Sequence, residues 1–452
     1  MSETKMTALG TQPIGSLLIK QAVPASIGIL VMSLNILVDT IFVGNWIGSV
    51  AIAAINVVLP VSFFVAALGM SIGIGGSSVL SRALGKQDMP KALHTFGNQI
   101  TLTFVLITVL VAVCLFFADN IIPSFGGRGM IFEPAKIYYT VLLWGVLFLG
   151  FSMMGNTVIR AEGQPKFAMF AMMIPSVSNL VLDIVFIKFL NLGMLGAALA
   201  TTASYFLCFA FIFWFFMSKN SALKVKWGHL KLKLNIVKEI TSLGFVTLSR
   251  QAIVSITYLL MNTILFNLGG EDSVTAYAIV GRMLMFALFP IFGITQGFLP
   301  IAAYNYGAQQ YDRVKESIYT AIKYASALAS IIFIALMIFS EAITKMFTDN
   351  QAVVAQTPNA IRWVFAATPI IAIQLIGAAY FQAVGKATPA LLLTLSRQGF
   401  FFIPLILILP VFMGANGVWL AFPISDVLAT ILTGWFLYRE VQSRLKSSTA
   451  NN

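Results

Sequence analysis

The sequence predicts an all-α polytopic membrane protein with twelve transmembrane helices in two pseudo-symmetric six-helix bundles. Composition gives the first reason: 59% of the 452 residues are hydrophobic and only 10% are charged, whereas about a quarter of the residues in a soluble protein are charged. Apolar stretches that recur along the whole chain give the second reason, and weak similarity between its two halves gives the third. A mean hydropathy of +0.90 excludes a soluble enzyme, a secreted disulfide scaffold and a nucleic-acid-binding module.

The apolar stretches set the number of spans, because a hydrocarbon core of about 30 Å requires about 20 apolar residues per helix. The predicted spans are residues 18–45, 51–80, 94–118, 135–160, 166–190, 193–217, 242–267, 273–302, 316–340, 356–384, 388–411 and 414–439. The first stretch is too long for a signal peptide, so we expect it to remain as a helix. An even number of spans places both termini on the same side.

The basic residues predict the orientation. With both termini in the cytoplasm, 20 of the 28 Lys and Arg residues lie on the cytoplasmic side, five lie outside and three lie within spans. We therefore expect a multi-pass protein of the cell membrane, or of the inner membrane if the source has two, with cytoplasmic termini. The net charge of +12 does not indicate a nucleic-acid partner, because the basic residues cluster in short connectors.

The longest basic connector divides the chain near its middle. It predicts an N-lobe at 1–218, a connector at 219–241 and a C-lobe at 242–452. Each lobe holds six spans, so the second copy enters the membrane from the same side as the first, and a substrate path between parallel repeats is expected.

Short matches between the two lobes recur at an offset of about 221–224 residues, which is a sign of an internal repeat. Asp39-Thr40-Ile41 aligns with Asn262-Thr263-Ile264, and Gly193 aligns with Gly414. The alternative to a transport role for the twin lobes is an old duplication kept only for packing.

Three carboxylates lie well within spans: Asp39, Asp183 and Asp426. A charge at the bilayer centre costs at least about 2.5–3.5 kcal/mol, so each carboxylate needs a partner or a purpose. Asn35 precedes Asp39 by one helical turn, and Asn179 precedes Asp183 by the same distance, so each acid shares a helix face with an amide.

Asn156, Thr201 and Thr202 add neutral hydrogen-bonding groups to the same lobe. Burial and a second carboxylate both favour the protonated form of a carboxylic acid, so this group of residues predicts a proton-exchanging site. The alternative is that the acids only bond across helices and hold the bundle together.

Pro24 lies in the first span, about four turns before Asp39. A proline removes one backbone hydrogen bond and can kink a helix. It predicts either a hinge coupled to protonation or a static kink near the cytoplasmic end, and the sequence leaves both open.

The C-lobe contains a predicted structural pair. Arg250 and Arg397 lie roughly 12–14 Å deep from the cytoplasmic side, and Asp426 lies roughly 20 Å deep. Because a long Arg side chain bridges that difference, we expect Asp426 to pair with Arg397 or Arg250 as a structural lock. The alternative is a second proton site at Asp426.

Motifs across nearly the whole chain resemble those of the multidrug and toxic compound extrusion (MATE) transporters. The most specific pieces are RAEGQPKFAMF, SNLVLDIVFI and GMLGAALATT, from span 4 to span 6. By this resemblance, Asp39 and Pro24 match the acidic residue and the earlier proline of the family's first helix. Asn179 and Asp183 match residues of its fifth helix, Thr201 matches a threonine of its sixth, and Asn156 fits a polar position in its fourth. The resemblance therefore implies that the polar residues among these couple substrate to a proton or cation. Asn35 joins this group by its spacing from Asp39.

Within the family, the chain looks more like the DinF branch, because spans 7 and 10 lack the acidic residues by which the NorM branch binds cations. The resemblance implies a secondary antiporter that exports lipophilic or cationic drugs in exchange for protons by alternating access. The alternatives are a Na⁺-coupled drug antiporter and a flippase for lipid-linked or polysaccharide precursors. We expect no enzyme activity, no cofactor and no metal site. The coupling ion is expected to be H⁺ or Na⁺, and the protein is expected to be a monomer surrounded by membrane lipid.

Overall fold

The computed structural model describes residues 2–445, with side chains from residue 7 onward, and every regular element in that range is a helix. The α-helices in this range are α1 Ser2–Thr11, α2 Ile14–Trp46, α3 Ser49–Gly85, α4 Met89–Phe116, α5 Ala118–Ser124, α6 Phe132–Ala161, α7 Pro165–Asp183, α8 Gly193–Met217, α9 Leu234–Gly307, α10 Tyr311–Phe347, α11 Gln351–Phe365, α12 Ile371–Ala383, α13 Ala387–Leu395, α14 Ile403–Met413 and α15 Ala415–Ser443. The predicted all-α fold is confirmed.

Eleven helical segments in the described range are long and apolar enough to cross a membrane. One of them, α9, has 74 residues, which corresponds to about 111 Å of helix against a hydrocarbon core of about 30 Å. Its backbone is not helical at Gly269 and Gly270, and Gly270 has φ 62° and ψ −152°, a conformation that is essentially restricted to glycine. This break divides α9 into two spans, so the predicted total of twelve is confirmed.

Three predicted spans contain irregular turns that the sequence does not indicate. α7 continues as a π-helix over Ile184–Phe189, and a second π-helix over Ser396–Phe402 joins α13 to α14. A 3₁₀ turn at Thr368–Ile370 separates α11 from α12. Pro369 lies in this turn, and because proline has no backbone N–H it disfavours a continuous helix there.

The backbone itself repeats. Left-handed residues occur at matching places in the two halves, 221 or 222 positions apart: Gly48 and Gly270, Gln87 and Gln309, Gly163 and Gly385, Gly193 and Gly414. Each pair lies where one helical segment ends and the next begins. The two bundles are therefore built on the same plan, as the sequence offset predicts.

The chain forms two compact units. One comprises the residues through Thr11 together with Ile27–Thr247, and the other comprises Gln12–Ser26 together with the chain from Leu248 onward. Two of the borders fall inside helices, in α2 and in α9. The lobe limits that the sequence predicts stay a prediction.

Small residues allow close helix packing within the first unit. A Cβ on Gly69 of α3 would lie 2.5 Å from the main-chain oxygen of Gly150 on α6, so only glycine fits there. The same stretch of α3 packs against α4 through Gly76, whose added Cβ would meet the Gln99 side chain. The glycine-rich segment at residues 69–78 is therefore a packing surface, which small residues commonly form between membrane-spanning helices.

Candidate functional site

Polar side chains from four helices of the first unit form one hydrogen-bonded chain. The Asn35 amide on α2 donates to Asn179 Oδ1 on α7 over 3.2 Å, and Asn179 Nδ2 donates to Thr201 Oγ1 on α8 over 3.5 Å. The Tyr138 hydroxyl on α6 lies 3.3 Å from the same Thr201 oxygen. Three of the predicted site residues thus meet in space although they come from different spans.

The two predicted acids of this unit also meet. The carboxyl groups of Asp39 and Asp183 are neighbours, close enough to interact directly with each other. A carboxylate has only acceptor atoms, so two carboxyl groups can share a hydrogen bond only when one of them carries a proton. Two carboxyl groups at such a separation can therefore share one proton.

The site has more acceptors than donors. Asp183 is completely buried, and neither of its oxygens receives a hydrogen bond from a donor group of the described residues. Asn35 Oδ1 is also buried without a partner among them. Because unpaired buried acceptors are costly, such a cluster favours a species that supplies positive charge or donors: a proton, a small cation or a cationic group of a substrate.

Two tyrosines that the sequence analysis did not single out belong to the same surroundings. Tyr138 and Tyr205 are both close enough to Asp39 to interact with its charge. Tyr205 follows Thr201 by four residues on α8, so helical spacing alone could have found it. No helical spacing indicates Tyr138, because the predicted site residue that it contacts, Thr201, lies on another helix.

Asn156 lies elsewhere. Its Nδ2 donates to the Ala168 main-chain oxygen over 2.6 Å, and its Oδ1 accepts from Arg160 Nε over 3.1 Å. On α6 it follows Tyr138 by 18 residues, which corresponds to about 27 Å along the helix axis. Asn156 thus joins the ends of α6 and α7, apart from the hydrogen-bonded chain, and its part in coupling stays a prediction.

Pro24 lies inside α2, which remains helical from Ile14 to Trp46. The border between the two compact units falls only two residues later, between Ser26 and Ile27. The proline is thus placed where α2 passes from one unit to the other, and its role as a hinge stays a prediction.

The second unit contains a buried ion pair. Arg397 Nε lies 2.6 Å from Asp426 Oδ1, and Asp426 is 3% exposed. No hydrogen bond or ion pair to the described residues is found for Arg250. Of the two arginines that the depth argument allows, the structure thus selects Arg397, while the role of the pair as a lock stays a prediction.

Twelve helices in two repeated halves, with acids buried within the spans, define a polytopic membrane protein of the repeat-built transporter class. The sequence model of the MatE family matches residues 24–185 and 247–408, once in each half. The chain therefore belongs to the MatE family.

Similar proteins agree over nearly the whole length. The multidrug export protein MepA of Staphylococcus aureus (strain N315) is 25% identical over 438 residues, covering 97% of this chain and 96% of MepA. A solved structure of MATE in the bent conformation has a TM-score of 0.92 at 26% identity and covers 99% of both chains. The outward-facing conformation of a multidrug resistance MATE family transporter has a TM-score of 0.90 at 26% identity, over 98% of this chain and 99% of that one.

The protein is thus a multi-pass membrane protein of the MATE multidrug efflux family, whose members are transporters rather than enzymes. Its position within the DinF branch stays a prediction.

Proposed function

We propose that this protein exports lipophilic, often cationic compounds across the cell membrane in exchange for protons, by alternating access. The contact between the Asp39 and Asp183 carboxyl groups carries the proposal. A shared proton is lost or gained at such a pair with a change of one full charge, in a place where charge is expensive.

Proton and drug are coupled through this charge. The deprotonated pair favours a bound cationic or hydrogen-bond-donating drug in the outward-open state, and proton uptake removes the negative charge and expels the drug. A ligand shifts an equilibrium between two conformations only by its differential affinity for them. Proton and drug must therefore compete for one conformer or prefer different ones.

The orientation belongs to the same proposal. The excess of Lys and Arg on one side of the spans supports a cytoplasmic position for both termini. The outward-open state then faces away from the cytoplasm, and the proton gradient across the cell membrane drives export.

Substitution of each acid tests the proposal. We expect Asp39→Asn and Asp183→Asn each to abolish drug resistance in cells without loss of membrane expression, because an amide cannot exchange the proton. Asp119→Asn is the matched control: Asp119 is an exposed carboxylate paired with Lys136 Nζ at 2.7 Å, so its loss leaves resistance intact. Wild-type resistance in both single mutants would contradict the proton site.

Reconstitution separates the coupling ions and the substrates. In liposomes with an imposed pH gradient, we expect efflux of a cationic dye that stops when an ionophore collapses the gradient. Efflux that follows an imposed Na⁺ gradient instead identifies Na⁺ as the coupling ion. Movement of a lipid-linked precursor without drug efflux identifies a flippase, for which we expect more cationic side chains in the cavity.

A further inference from the structure

In the structure the connector between α8 and α9 comprises residues 218–233, because α9 begins already at Leu234. It does not extend away from the bundle. It is held against α4 by side chains of that helix. Asn98, which is completely buried, donates to the main-chain oxygen of Lys231 over 3.0 Å and accepts from the Lys233 main-chain N–H over 2.8 Å. Thr101 donates to the Leu230 main-chain oxygen over 2.8 Å.

The contact with α4 also fixes the depth of the connector. A Cβ on Gly97 would lie 2.2 Å from the main-chain oxygen of His229, so the two backbones touch there. Gly97 is eight residues from the start of α4, which is about 12 Å along the helix, and the apolar stretch of that span begins at about residue 94. The connector therefore runs beside the first turns of the membrane span, at the level of the interface.

The connector carries positive charge that the structure does not neutralise. Three of its exposed lysines form no ion pair with the described residues: Lys226, Lys231 and Lys233. The nearby acid Glu239 is already engaged by Arg82 Nη1 at 2.9 Å and by Lys91 Nζ at 3.4 Å. These lysines thus lack an anionic partner within the described part of the chain.

Large apolar side chains alternate with these lysines and point away from the protein. Trp227 is 88% exposed, Leu234 is 84% exposed and Leu232 is 50% exposed. Asn98 and Thr101 hold the main chain of Leu230, Lys231 and Lys233, which directly adjoins Leu232 and Leu234. Tryptophan beside lysine is typical of the membrane–water interface, where the ring contacts acyl chains and the ammonium contacts head groups.

A cavity adjoins this surface. It has a volume of about 270 Å³ and lies between the beginnings of α4 and α9. Its lining includes Lys91, His94 and Lys233 together with Glu239, the carboxylate that Arg82 and Lys91 already engage. The His94 ring meets the His229 ring edge to face, with their centroids 5.0 Å apart. The two histidines of the chain, 135 positions apart, thus come together beside this cavity, where Lys233 adds a positive charge that no carboxylate of the described residues pairs.

We propose that this connector surface docks anionic phospholipid head groups of the adjacent leaflet. The surface consists of Lys226, Trp227, Lys231, Leu232, Lys233, Leu234 and the cavity beside them. Its lysines bind phosphate, and its apolar residues contact the upper acyl chains, which a free phosphate ion does not offer. Basic segments next to a span attract anionic lipids at about 1 kcal/mol per Lys or Arg, or roughly fivefold per residue. The proposal does not depend on what the protein transports.

Lipid-specific quenching of Trp227 tests this docking. The protein is reconstituted in phosphatidylcholine vesicles that contain a minor fraction of phosphatidylglycerol, with bromine on the chains of one lipid or the other. The difference between the wild type and Trp227→Phe isolates the signal of this tryptophan. We expect brominated phosphatidylglycerol to quench Trp227 at least about fivefold more than its bulk fraction predicts, and the excess to shrink as ionic strength rises.

Matched lysine variants provide the control. Lys231→Gln/Lys233→Gln should remove the excess quenching, whereas Lys315→Gln/Lys323→Gln on α10, with the same loss of charge, should retain it. All four substitutions lie on side chains that are at least partly exposed, so folding is expected to persist, and thermal unfolding checks this. Quenching that follows bulk lipid composition, no quenching by either lipid, or equal displacement by inorganic phosphate would each overturn the docking of lipid.

Discussion

Asp183 and Asp426 are both almost inaccessible, but different groups face them. Asp183 meets the carboxyl group of Asp39, and Asp426 meets the guanidinium of Arg397. An acid beside an acid can share a transferable proton, whereas a guanidinium stabilises the ionised form of an acid beside it. Replacing each acid by asparagine therefore should have different consequences.

Asp426→Asn should reduce stability more than coupling. Removing one partner of a buried ion pair typically costs about 3–5 kcal/mol, because the other charge remains buried and unpaired. Thermal unfolding in detergent should show the loss, and dye efflux per folded molecule should remain proton-dependent. The double variant Arg397→Met/Asp426→Leu should recover most of the stability. Unchanged stability together with lost coupling would instead make Asp426 a second proton site.

Glu162 is a third buried acid, and it faces neither a second acid nor a guanidinium but a hydroxyl group. It lies outside the spans, in the turn between α6 and α7. Its Oε1 accepts a hydrogen bond from the Ser221 hydroxyl over 2.6 Å, while Oε2 has no partner among the described residues. Burial raises the pKa of the Glu162 carboxyl to about 7, although the hydrogen bond from Ser221 and the charge of Lys224 act to lower it.

This shift predicts a pH dependence of stability. The folded state binds the proton more tightly than the unfolded chain, whose Glu pKa is about 4.3. The contribution of Glu162 to stability is therefore fully present below about pH 4.3 and is lost as the pH rises through about 7. As the pH rises from about 4.3 to about 7, the melting temperature of the wild type should fall, and that of Glu162→Gln should fall less. Parallel curves for the two proteins would contradict the shift.

Some of the site follows from sequence spacing and some of it does not. The Asp39–Asn35 and Asp183–Asn179 pairs are local, because helical geometry places residues four apart on one face. The contact between Asp39 and Asp183 joins positions 144 residues apart, so no local pattern specifies it. The same gap explains why the sequence does not show that Asn156 lies apart from this chain, since a residue's lobe can be deduced from its span but its neighbours on other helices cannot.

At the scale of elements, α2 combines helical continuity with a proline in its interior. Pro24 cannot donate to the main-chain oxygen of Lys20, so one hydrogen bond of the helix is missing just before the border between units at Ser26 and Ile27. A missing bond at such a place lowers the cost of bending.

Pro24→Ala tests whether this weakness is used. Alanine restores the hydrogen bond, and an interior proline costs about 3 kcal/mol relative to alanine in a helix. We expect a higher melting temperature and slower dye efflux. Alanine in place of Pro60, which lies inside α3, is the control for a proline in another spanning helix. Unchanged efflux in Pro24→Ala would leave the proline as a static kink.

Hydropathy predicts the spans but not their irregular turns. The length of an apolar stretch reports how much chain is buried in lipid, whereas a π-helix is one extra residue per turn within the same stretch. One π-helix begins directly after Asp183, and the other includes Arg397. π-Helical turns are common at functional sites. In this chain one adjoins Asp183 and the other contains Arg397, so each turn affects the direction in which a charged side chain leaves its helix.

At the scale of the whole molecule, the two halves share their backbone turns but not their acids. Asp39 corresponds to Asn262 in the second half. Gln87 and Gln309 both close a helix with the same hydrogen bonds: the glutamine N–H bonds to an oxygen three residues back, and the next N–H bonds to one five residues back. This is the pattern of a helix end that usually carries glycine.

The shared turn predicts matched effects of substitution. A side chain in the left-handed region costs about 1–2 kcal/mol, so Gln87→Gly and Gln309→Gly should each raise stability by up to about 1 kcal/mol after the entropy of glycine is counted. Gln87→Val and Gln309→Val should each lower it. Thermal unfolding of the four variants measures this, and opposite signs for the two positions would show that their surroundings are not equivalent.

The matched left-handed residues also bear on ancestry. A half-length ancestor with six spans crosses the membrane an even number of times, so a tandem copy of its gene inserts with the same polarity and needs no inversion. Four backbone turns still coincide after duplication, including one at which both copies hold glutamine against its conformational preference. If both copies descend from one sequence, the buried carboxylates changed in at least one of them after the duplication, because Asp39 stands where the second half has Asn262. A backbone plan present twice thus carries different buried charges in its two halves.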